Sequence, residues 1–339
     1  MSEHRNNKTK TLIQTLVFAT IGIGLVYWQY SKLTETDKEA MFKAINSFKW
    51  VWAFPILLVG FLSHYFRALR WDLQLRPINI IAKKSNLVAS VLVGYFANIF
   101  VPRLGEVAKC TVLAKYEQQP VDKLLGTVIA ERVWDTICFG LLTVFTLIFQ
   151  YQYIAPYAEK VGGSFLQKLQ KEDGSYNILL IFGIILILTL SMYGIIHIFK
   201  SKKDSKIGKI IQGLLVGIKS ILEVKQKWMY MLYTILIWGC YTLVAIFVFK
   251  AIPDTSNLPL LAGLSIITFG TFAMIVPAPG AIAYPIIVAP VLELYGLSAG
   301  VGQGYGWVGW ASQNISIIIF GLLAFISLPL INNKNASIK

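Results

Sequence analysis

The sequence predicts an all-α polytopic membrane protein with about six full transmembrane helices, two re-entrant helical hairpins and an inverted-topology repeat. Hydrophobic residues make up 56% of the chain and charged residues only 14%, which is far from the balance of soluble proteins. Several apolar runs reach the roughly 18–20 residues that a helix needs to cross about 30 Å of hydrocarbon. Two runs are broken, at Pro102 and at Pro277, because proline removes a helical hydrogen-bond donor.

Six segments are expected to cross the membrane, in one domain over residues 11–331 with tails at 1–10 and 332–339. The first segment follows a short basic stretch. It is longer than the apolar region of a signal peptide and no cleavage motif follows it, so we interpret it as a retained helix. The spans lie at about 11–30, 50–68, 122–150, 177–199, 228–250 and 304–330.

The distribution of basic residues predicts the orientation. Segment 200–227 holds eight lysines against two acids, and segment 67–84 holds five basic residues against one acid. The positive-inside rule assigns both segments, and with them both termini, to the cytoplasm. Segment 200–227 also carries an apolar stripe at helical spacing, which is typical of an amphipathic helix on the inner leaflet. The net charge of +14 therefore favours anionic lipid over nucleic acid as the partner.

The same charge count predicts the hairpins. If residues 87–101 crossed the membrane completely, the lysine-rich segment would lie outside. The conflict disappears if residues 86–118 enter from the cytoplasm, turn and return as a shorter helix. We expect a mirror-image hairpin over 258–297, although two full spans there would keep the same sides. The expected turn residues are Asn98, Pro102 and Gly105 in the first hairpin, and Pro277, Pro279 and Gly280 in the second.

The hairpins in turn predict a repeat. Units 50–150 and 228–330 would each hold one hairpin between two spans, and the two units would enter from opposite sides. This is the arrangement of inverted-topology repeats, whose broken helices meet near the midplane and form the substrate site. The prediction depends on hydropathy and charge, since the two units share no strong sequence identity.

Charged side chains lie inside these apolar segments. On insertion scales, each would cost about 2.5–3.5 kcal/mol at the bilayer centre, so such groups mark pairs, cavities or substrate paths. Glu131 and Asp135 share a helix face, and Arg132 can pair with Asp135. Glu131 lies about 10 Å into its helix when counted from Leu124. That position is near the expected tip of the hairpin that carries Arg103, Glu106 and Lys109.

Two interpretations of this cluster remain open. In the first, Arg103 and Lys109 bind a lipid phosphate at a midplane site, and the acids balance charge or relay protons. In the second, the charges form an internal salt-bridge network that fixes the hairpin. Arg67 and Arg70 are most simply anchors at the cytoplasmic interface, although Arg70 could also contact a headgroup.

The remaining residues argue against several functional classes. Three cysteines and three histidines are scattered along the chain, without a disulfide framework or metal-ligand spacing. The sequence has no phosphate-cradling glycine loop and no nucleophile elbow. We therefore predict no cofactor, no metal site, no nucleic-acid partner and no ATP-driven transport within this chain.

Four segments together resemble the lysylphosphatidylglycerol synthase transmembrane-region family. They are Arg67–Trp71, Asn98–Glu106, Glu131–Asp135 and Pro277–Gly280, and the resemblance covers nearly the whole chain. Members are similar to the flippase half of enzymes that make and translocate aminoacylated phospholipids. Because 339 residues leave no room for a soluble aminoacyl-transferase domain, we expect a stand-alone member.

The chain departs from the family pattern at two places. After the late Pro-Gly, family members often have a second glycine and a nearby glutamate, whereas Ala281–Pro285 is apolar here. An arginine that is common in the last helix has no counterpart between residues 304 and 330, where Gln313 and Asn314 are the nearest polar candidates. Because of these two departures, the resemblance does not define how transport is coupled or which substrate is bound.

The preferred function is therefore a passive or ion-coupled translocator in the inner membrane. It would move an anionic phospholipid or lipid-linked intermediate between leaflets, sheltering the headgroup while the acyl chains stay in lipid. The rival is a membrane-embedded enzyme that acts on a lipid headgroup, with Glu131 or Glu106 as general base. A third reading is an accessory subunit of a cell-envelope synthase. The sequence is compatible with a homo-oligomer or with a synthase partner.

Overall fold

The computed structural model describes residues 20, 23–101, 104–153, 223–275 and 280–333, and all regular structure in these ranges is helical. Several sequence predictions lie outside the described residues. They concern the N-terminal tail, residues 334–339 of the C-terminal tail, most of span 11–30, span 177–199, most of segment 200–227, and the residues Pro102, Arg103, Pro277 and Pro279. The first two residues of the predicted C-terminal tail belong to the last helix, which runs to Asn333.

The described chain forms an ordered series of helices. Residues 23–32 are helical. The helices that follow are α1 Glu35–Asn46, α2 Ala53–Leu75, α3 Lys84–Phe100, α4 Leu104–Glu117, α5 Val121–Phe149, α6 Lys227–Ala251, α7 Ala262–Ile275, α8 Gly280–Glu293 and α9 Ala299–Asn333.

Four of the described helical stretches are long and apolar enough to cross a membrane. They are Trp50–Ile78, Val121–Phe149, Lys227–Ala251 and Ala299–Asn332. Each corresponds to one of the predicted spans, and shorter apolar helices lie between them. The prediction of an all-α polytopic membrane protein is confirmed.

The first hairpin consists of α3 and α4, packed antiparallel. At its open base, Asn86 Nδ2 donates a hydrogen bond to Glu117 Oε1 at 2.6 Å. Near its tip, the Gly105 amide donates to Asn98 Oδ1 at 2.6 Å, and a Cβ atom on Gly105 would collide with the carbonyl oxygen of Gly94. With 17 and 14 residues, the two helices are about 25 and 21 Å long, too short to cross the bilayer alone.

The second hairpin consists of α7 and α8, which have 14 residues each. Gly270 of α7 lies against the ring of Tyr284 in α8, where an added Cβ would come within 2.6 Å of the ring. Helix α9 packs closely on α8 through glycines. A Cβ on Gly306 would lie 2.6 Å from the Cα of Pro285. This hairpin is thus held by small residues that let backbones approach closely.

The two units pack against each other in a reciprocal way. Their opening helices, α2 and α6, are antiparallel: the Lys49 amide before α2 donates to the carbonyl of Ala251 at the end of α6, at 2.8 Å. Further along, Phe66 of α2 stacks on Tyr233 near the start of α6. The units therefore run in opposite directions.

The closing helix of each unit packs on the hairpin of the other unit. Helix α9 runs antiparallel to α3, with Phe96 against Gly321 and Asn86 against Asn332. Helix α5 runs antiparallel to α7, with Phe139 against Phe272 and Thr146 against Thr268. This exchange is the packing expected of two units related by a pseudo-two-fold axis in the membrane plane.

Candidate functional site

A buried network of charged side chains lies between α2, α4 and α5. Arg67 and Arg70 are one turn apart on α2, and Glu131 and Asp135 are one turn apart on α5. Residues three or four positions apart share a helix face. The two arginines therefore form one face, the two acids form another, and the two faces meet.

The contacts in this network are short. Arg67 Nη1 donates to Glu131 Oε1 at 2.6 Å and to Asp135 Oδ2 at 2.7 Å. Arg70 Nη2 donates to Asp135 Oδ1 at 2.6 Å. Lys109 Nζ on α4 donates to Glu131 Oε2 at 2.7 Å. Charge-assisted bonds of this length are among the strongest in proteins.

The network carries more positive than negative charge. Three cations, Arg67, Arg70 and Lys109, surround two carboxylates. The side chains of Arg70 and Glu131 are 0% exposed. Because a buried charge needs a partner, an anion that binds here would balance the excess positive charge.

Aromatic and hydroxyl groups complete the surroundings of the cations. Lys109 Nζ lies 4.0 Å from the ring centroid of Trp71. Arg67 Nη2 donates to the Tyr241 hydroxyl at 3.1 Å, and Arg70 Nη1 donates to Thr234 Oγ1 at 3.3 Å. Helix α6 of the second unit thus supplies neutral partners to arginines of the first.

The network is loosest where Arg132 meets Glu106. Arg132 Nε lies 3.6 Å from Glu106 Oε1, and the two side chains are 40% and 30% exposed. Arg132 Nη1 also lies 3.6 Å from Asp135 Oδ2, linking this pair to the buried network. Glu106 Oε2 has no hydrogen-bond partner. Separations of 3.6 Å are too long for hydrogen bonds, so Arg132 and Glu106 form the open edge of the network.

The geometry brings together most of the predicted charge cluster. Lys109 pairs with Glu131, Asp135 lies one turn further along α5, and Arg132 faces both Asp135 and Glu106. Arg103 lies outside the described residues, so its role stays a prediction. In the described part of the chain, no group of three or more His, Cys, Asp or Glu residues could hold a metal ion.

The interpretation of Arg67 and Arg70 as interfacial anchors is wrong. Both are buried and bonded to acids more than sixty positions away. Helix α2 continues to Leu75, beyond the predicted end at residue 68, because these partners compensate the charges. Sequence reasoning placed Trp71 in a family segment without assigning it a role, and it missed Thr234 and Tyr241, since hydroxyl and aromatic residues on apolar helices carry no distinctive pattern.

Comparison with known proteins identifies the family. A family model of the lysylphosphatidylglycerol synthase transmembrane region matches residues 12–321. The chain belongs to this family. It is a family of membrane domains associated with lipid synthesis and flipping.

A more local similarity connects the chain to an archaeal protein. A UPF0104 membrane protein of Methanothermobacter thermautotrophicus is 35% identical over 83 residues, which is 24% of this chain. The chain covers 25% of that relative's length. No solved structure significantly matches the chain.

The departures from the family pattern can be located in the structure. Asn314 is one of the polar candidates in α9. Its Nδ2 donates a hydrogen bond to the carbonyl oxygen of Trp310 at 2.8 Å, so its amide is bonded within its own helix. The arginines near the described site are Arg67, Arg70 and Arg132, all from the first unit. In this family member, the charged chemistry is thus concentrated in one of the two units.

Proposed function

We propose that the chain is a flippase-like lipid translocase of the cell's inner membrane, with both termini in the cytoplasm. It moves a phospholipid or a lipid-linked intermediate with an anionic headgroup between the leaflets. The observation that supports this proposal is the buried, net-positive ion network with an open edge at Arg132 and Glu106.

The depth of the open edge favours a headgroup as the ligand. Arg132 is the twelfth residue of the 29-residue helix α5, about 17 Å from its start at 1.5 Å per residue. A charged pair at such depth is expensive in hydrocarbon. A phosphate that binds there would supply the missing negative charge, and the planar guanidinium of Arg132 can contact it through two parallel hydrogen bonds.

The surroundings of the pair suit a lipid. Val107 and Val133 beside it are 46% and 44% exposed, and such apolar surface is compatible with acyl chains. Arg70, by contrast, is fully buried and both of its terminal nitrogens already have partners. We therefore assign headgroup contact to Arg132, with Lys109 behind it, and assign Arg70 to the supporting network.

The bonding of Glu131 favours transport over catalysis. Its two carboxylate oxygens accept hydrogen bonds from Arg67 and Lys109, so they are occupied by cations. A general base needs a free oxygen within reach of the proton that it takes. Glu106 retains a free oxygen and is the base that an enzymatic alternative would require.

A liposome assay tests the proposal. Purified protein is reconstituted with an anionic phospholipid that carries a fluorescent headgroup, and a membrane-impermeant quencher reports which leaflet holds the probe. The wild type should move the probe chemically unchanged. Arg132→Gln should slow crossing about tenfold, equivalent to ~1.4 kcal/mol in the barrier, and Arg132→Lys should restore only part of the rate because it lacks the planar fork.

Arg76→Gln is the matched control. Arg76 pairs with Asp72 at 2.6 Å, but its side chain is 49% exposed and lies outside the network, so its loss should leave crossing unchanged. Absence of protein-dependent crossing with anionic lipid would refute the proposal. Recovery of a chemically altered lipid from the wild type but not from Glu106→Gln would establish the enzyme instead.

A further inference from the structure

A cluster of side-chain amides joins the first hairpin to the end of the last helix. Asn332 Nδ2 donates to Asn86 Oδ1 at 2.9 Å, and Asn86 Nδ2 donates back to Asn332 Oδ1 at 3.1 Å. Asn86 Nδ2 also donates to Glu117 Oε1 at 2.6 Å. We call Asn86, Glu117 and Asn332 the first clamp, because they join α9 to the open base of the hairpin.

A second cluster joins the second hairpin to the end of α5. The Tyr295 hydroxyl, just beyond α8, donates to Gln150 Oε1 at 2.8 Å. The same hydroxyl lies 2.8 Å from Ser265 Oγ on α7. We call Gln150, Ser265 and Tyr295 the second clamp.

The two clamps occupy equivalent positions in the two units. Gln150 follows the last residue of α5, the closing helix of the first unit, and Asn332 is the penultimate residue of α9, the closing helix of the second. Each contacts the open base of the other unit's hairpin. Because the 29-residue helix α5 begins just after Glu117 of the first clamp and ends just before Gln150 of the second, the clamps lie at opposite ends of the molecule.

The chemistry of the clamps suits contacts that open. Asn86 is 0% and Gln150 is 2% exposed, so each clamp contains a buried amide that must keep its hydrogen bonds. Water can replace a neutral hydrogen-bond partner at small net free energy. The free-energy cost of separating a clamp is therefore small only if water enters at that end of the molecule and replaces the lost hydrogen bonds. A gate behaves in this way. The close glycine contacts between α8 and α9 have no such substitute.

We propose that the two clamps are the alternating gates of the lipid path, each closing one end of the molecule. Both clamps are formed in this structure, which is accordingly the state closed at both ends. The inference rests on the proposed translocase function, because alternating access in inverted repeats moves one unit against the other around a fixed site. The ion network lies between the two gates.

Thiol cross-linking tests the gates. In a background with Cys110, Cys138 and Cys240 replaced by alanine, Asn86→Cys and Asn332→Cys are joined by a short reducible linker. Locking the first clamp should slow lipid crossing about tenfold or more, as expected where opening limits turnover, and reduction should restore it. The control applies the same linker to the Asn86→Cys and Asn332→Cys single variants, in which no bridge between the two helices can form, so neither the linker nor its reduction should change their crossing rate. Full crossing in the locked 86–332 pair would overturn the gates while leaving the translocase intact.

A labelling experiment reports the gate without any transport. Ser90 lies one turn inside Asn86 and is 0% exposed, so Ser90→Cys should react slowly with a membrane-impermeant maleimide. Asn332→Ala removes the amide exchange, and labelling at position 90 should then rise about fivefold or more. Asn314→Ala, on the same helix but outside the clamp, should not change it. Equal labelling in Asn332→Ala and Asn314→Ala would refute the gate, whatever the outcome of the transport assay.

Discussion

The two hairpins have the same architecture and opposite chemistry. The first carries Glu106 and Lys109 on α4 and joins a network of buried charges. In the second, the sequence from Ala262 to Leu292 has no charged residue, and charge enters only with Glu293 at the end of α8. Its helices meet through contacts such as Gly270 against Tyr284. The two units therefore share the same hairpin architecture, but the network of buried charges lies in the first unit.

This difference indicates a division of labour between the units. Buried ion pairs are directional and fail when one partner is lost, because an uncompensated charge remains. Close contacts between small residues depend only on shape, through van der Waals packing. Under the proposed translocase function, the first unit would recognise the headgroup, while the second would provide a close-packed surface.

The largest expected effect comes from breaking the network at its centre. Glu131→Gln leaves Lys109 without its buried anion and Arg67 with Asp135 alone, and loss of one partner of a buried pair costs about 3–5 kcal/mol. The variant should show a strongly lowered melting temperature in detergent and a poor yield of folded protein.

The exposed Glu39 on α1 provides the matched substitution for this measurement. Glu39→Gln should melt with the wild type, because an exposed carboxylate contributes about 0–1 kcal/mol. A normal melting temperature for Glu131→Gln would mean that the first unit does not depend on charge pairing.

An intermediate effect is expected from overpacking the second unit. Gly306→Ala places a Cβ 2.6 Å from the Cα of Pro285, where the backbone cannot move aside as a flexible side chain could. Overpacking of this kind costs about 1–3 kcal/mol. Thermal unfolding should show a clear decrease in stability.

Gly239→Ala on α6 is the control for that decrease, because nothing lies within 4 Å of the added Cβ. Alanine is the better helix former by about 1 kcal/mol, so this variant should be as stable as the wild type or more so. If Gly306→Ala and Gly239→Ala were equally stable, the second unit would not depend on close packing at Gly306, and the contrast between the two units would fail.

The smallest effect on stability is expected at the open edge. Arg132→Gln removes a side chain that is 40% exposed and whose ion pairs are 3.6 Å long, so its loss should cost about 1 kcal/mol or less. Its melting temperature should stay close to that of the wild type while lipid crossing falls. A destabilisation as large as that of Glu131→Gln would assign Arg132 to the scaffold.

Hydropathy predicted the spans well where the helices are uniformly apolar. The expected spans 122–150 and 228–250 correspond to Val121–Phe149 and Lys227–Ala251 within one residue at each end. The last helix begins at Ala299, five residues before the expected span at 304, and Gly300 in its first turn packs against Asp37 of α1.

The errors arise where stability depends on a distant partner. A hydropathy count treats each side chain alone, so Arg67 and Arg70 marked the end of a span. In the structure their partners on α5 compensate both charges inside the protein. The charge cluster itself could be predicted because Glu131 and Asp135 are close in sequence and share a face. The aromatic and hydroxyl partners on α6 could not, since no spacing connects α6 to α2.

The reciprocal packing of the closing helices also constrains how the chain is made. Asn86 finds its partner at Asn332, 246 positions later. At about 5–20 residues per second, the ribosome needs roughly 12 to 50 s to synthesise the intervening chain. During that time the first hairpin is in the membrane without the helix that covers it. A nascent chain that stops before α9 therefore presents a buried amide and an apolar hairpin face without their partners, which are features that membrane chaperones and proteases can recognise.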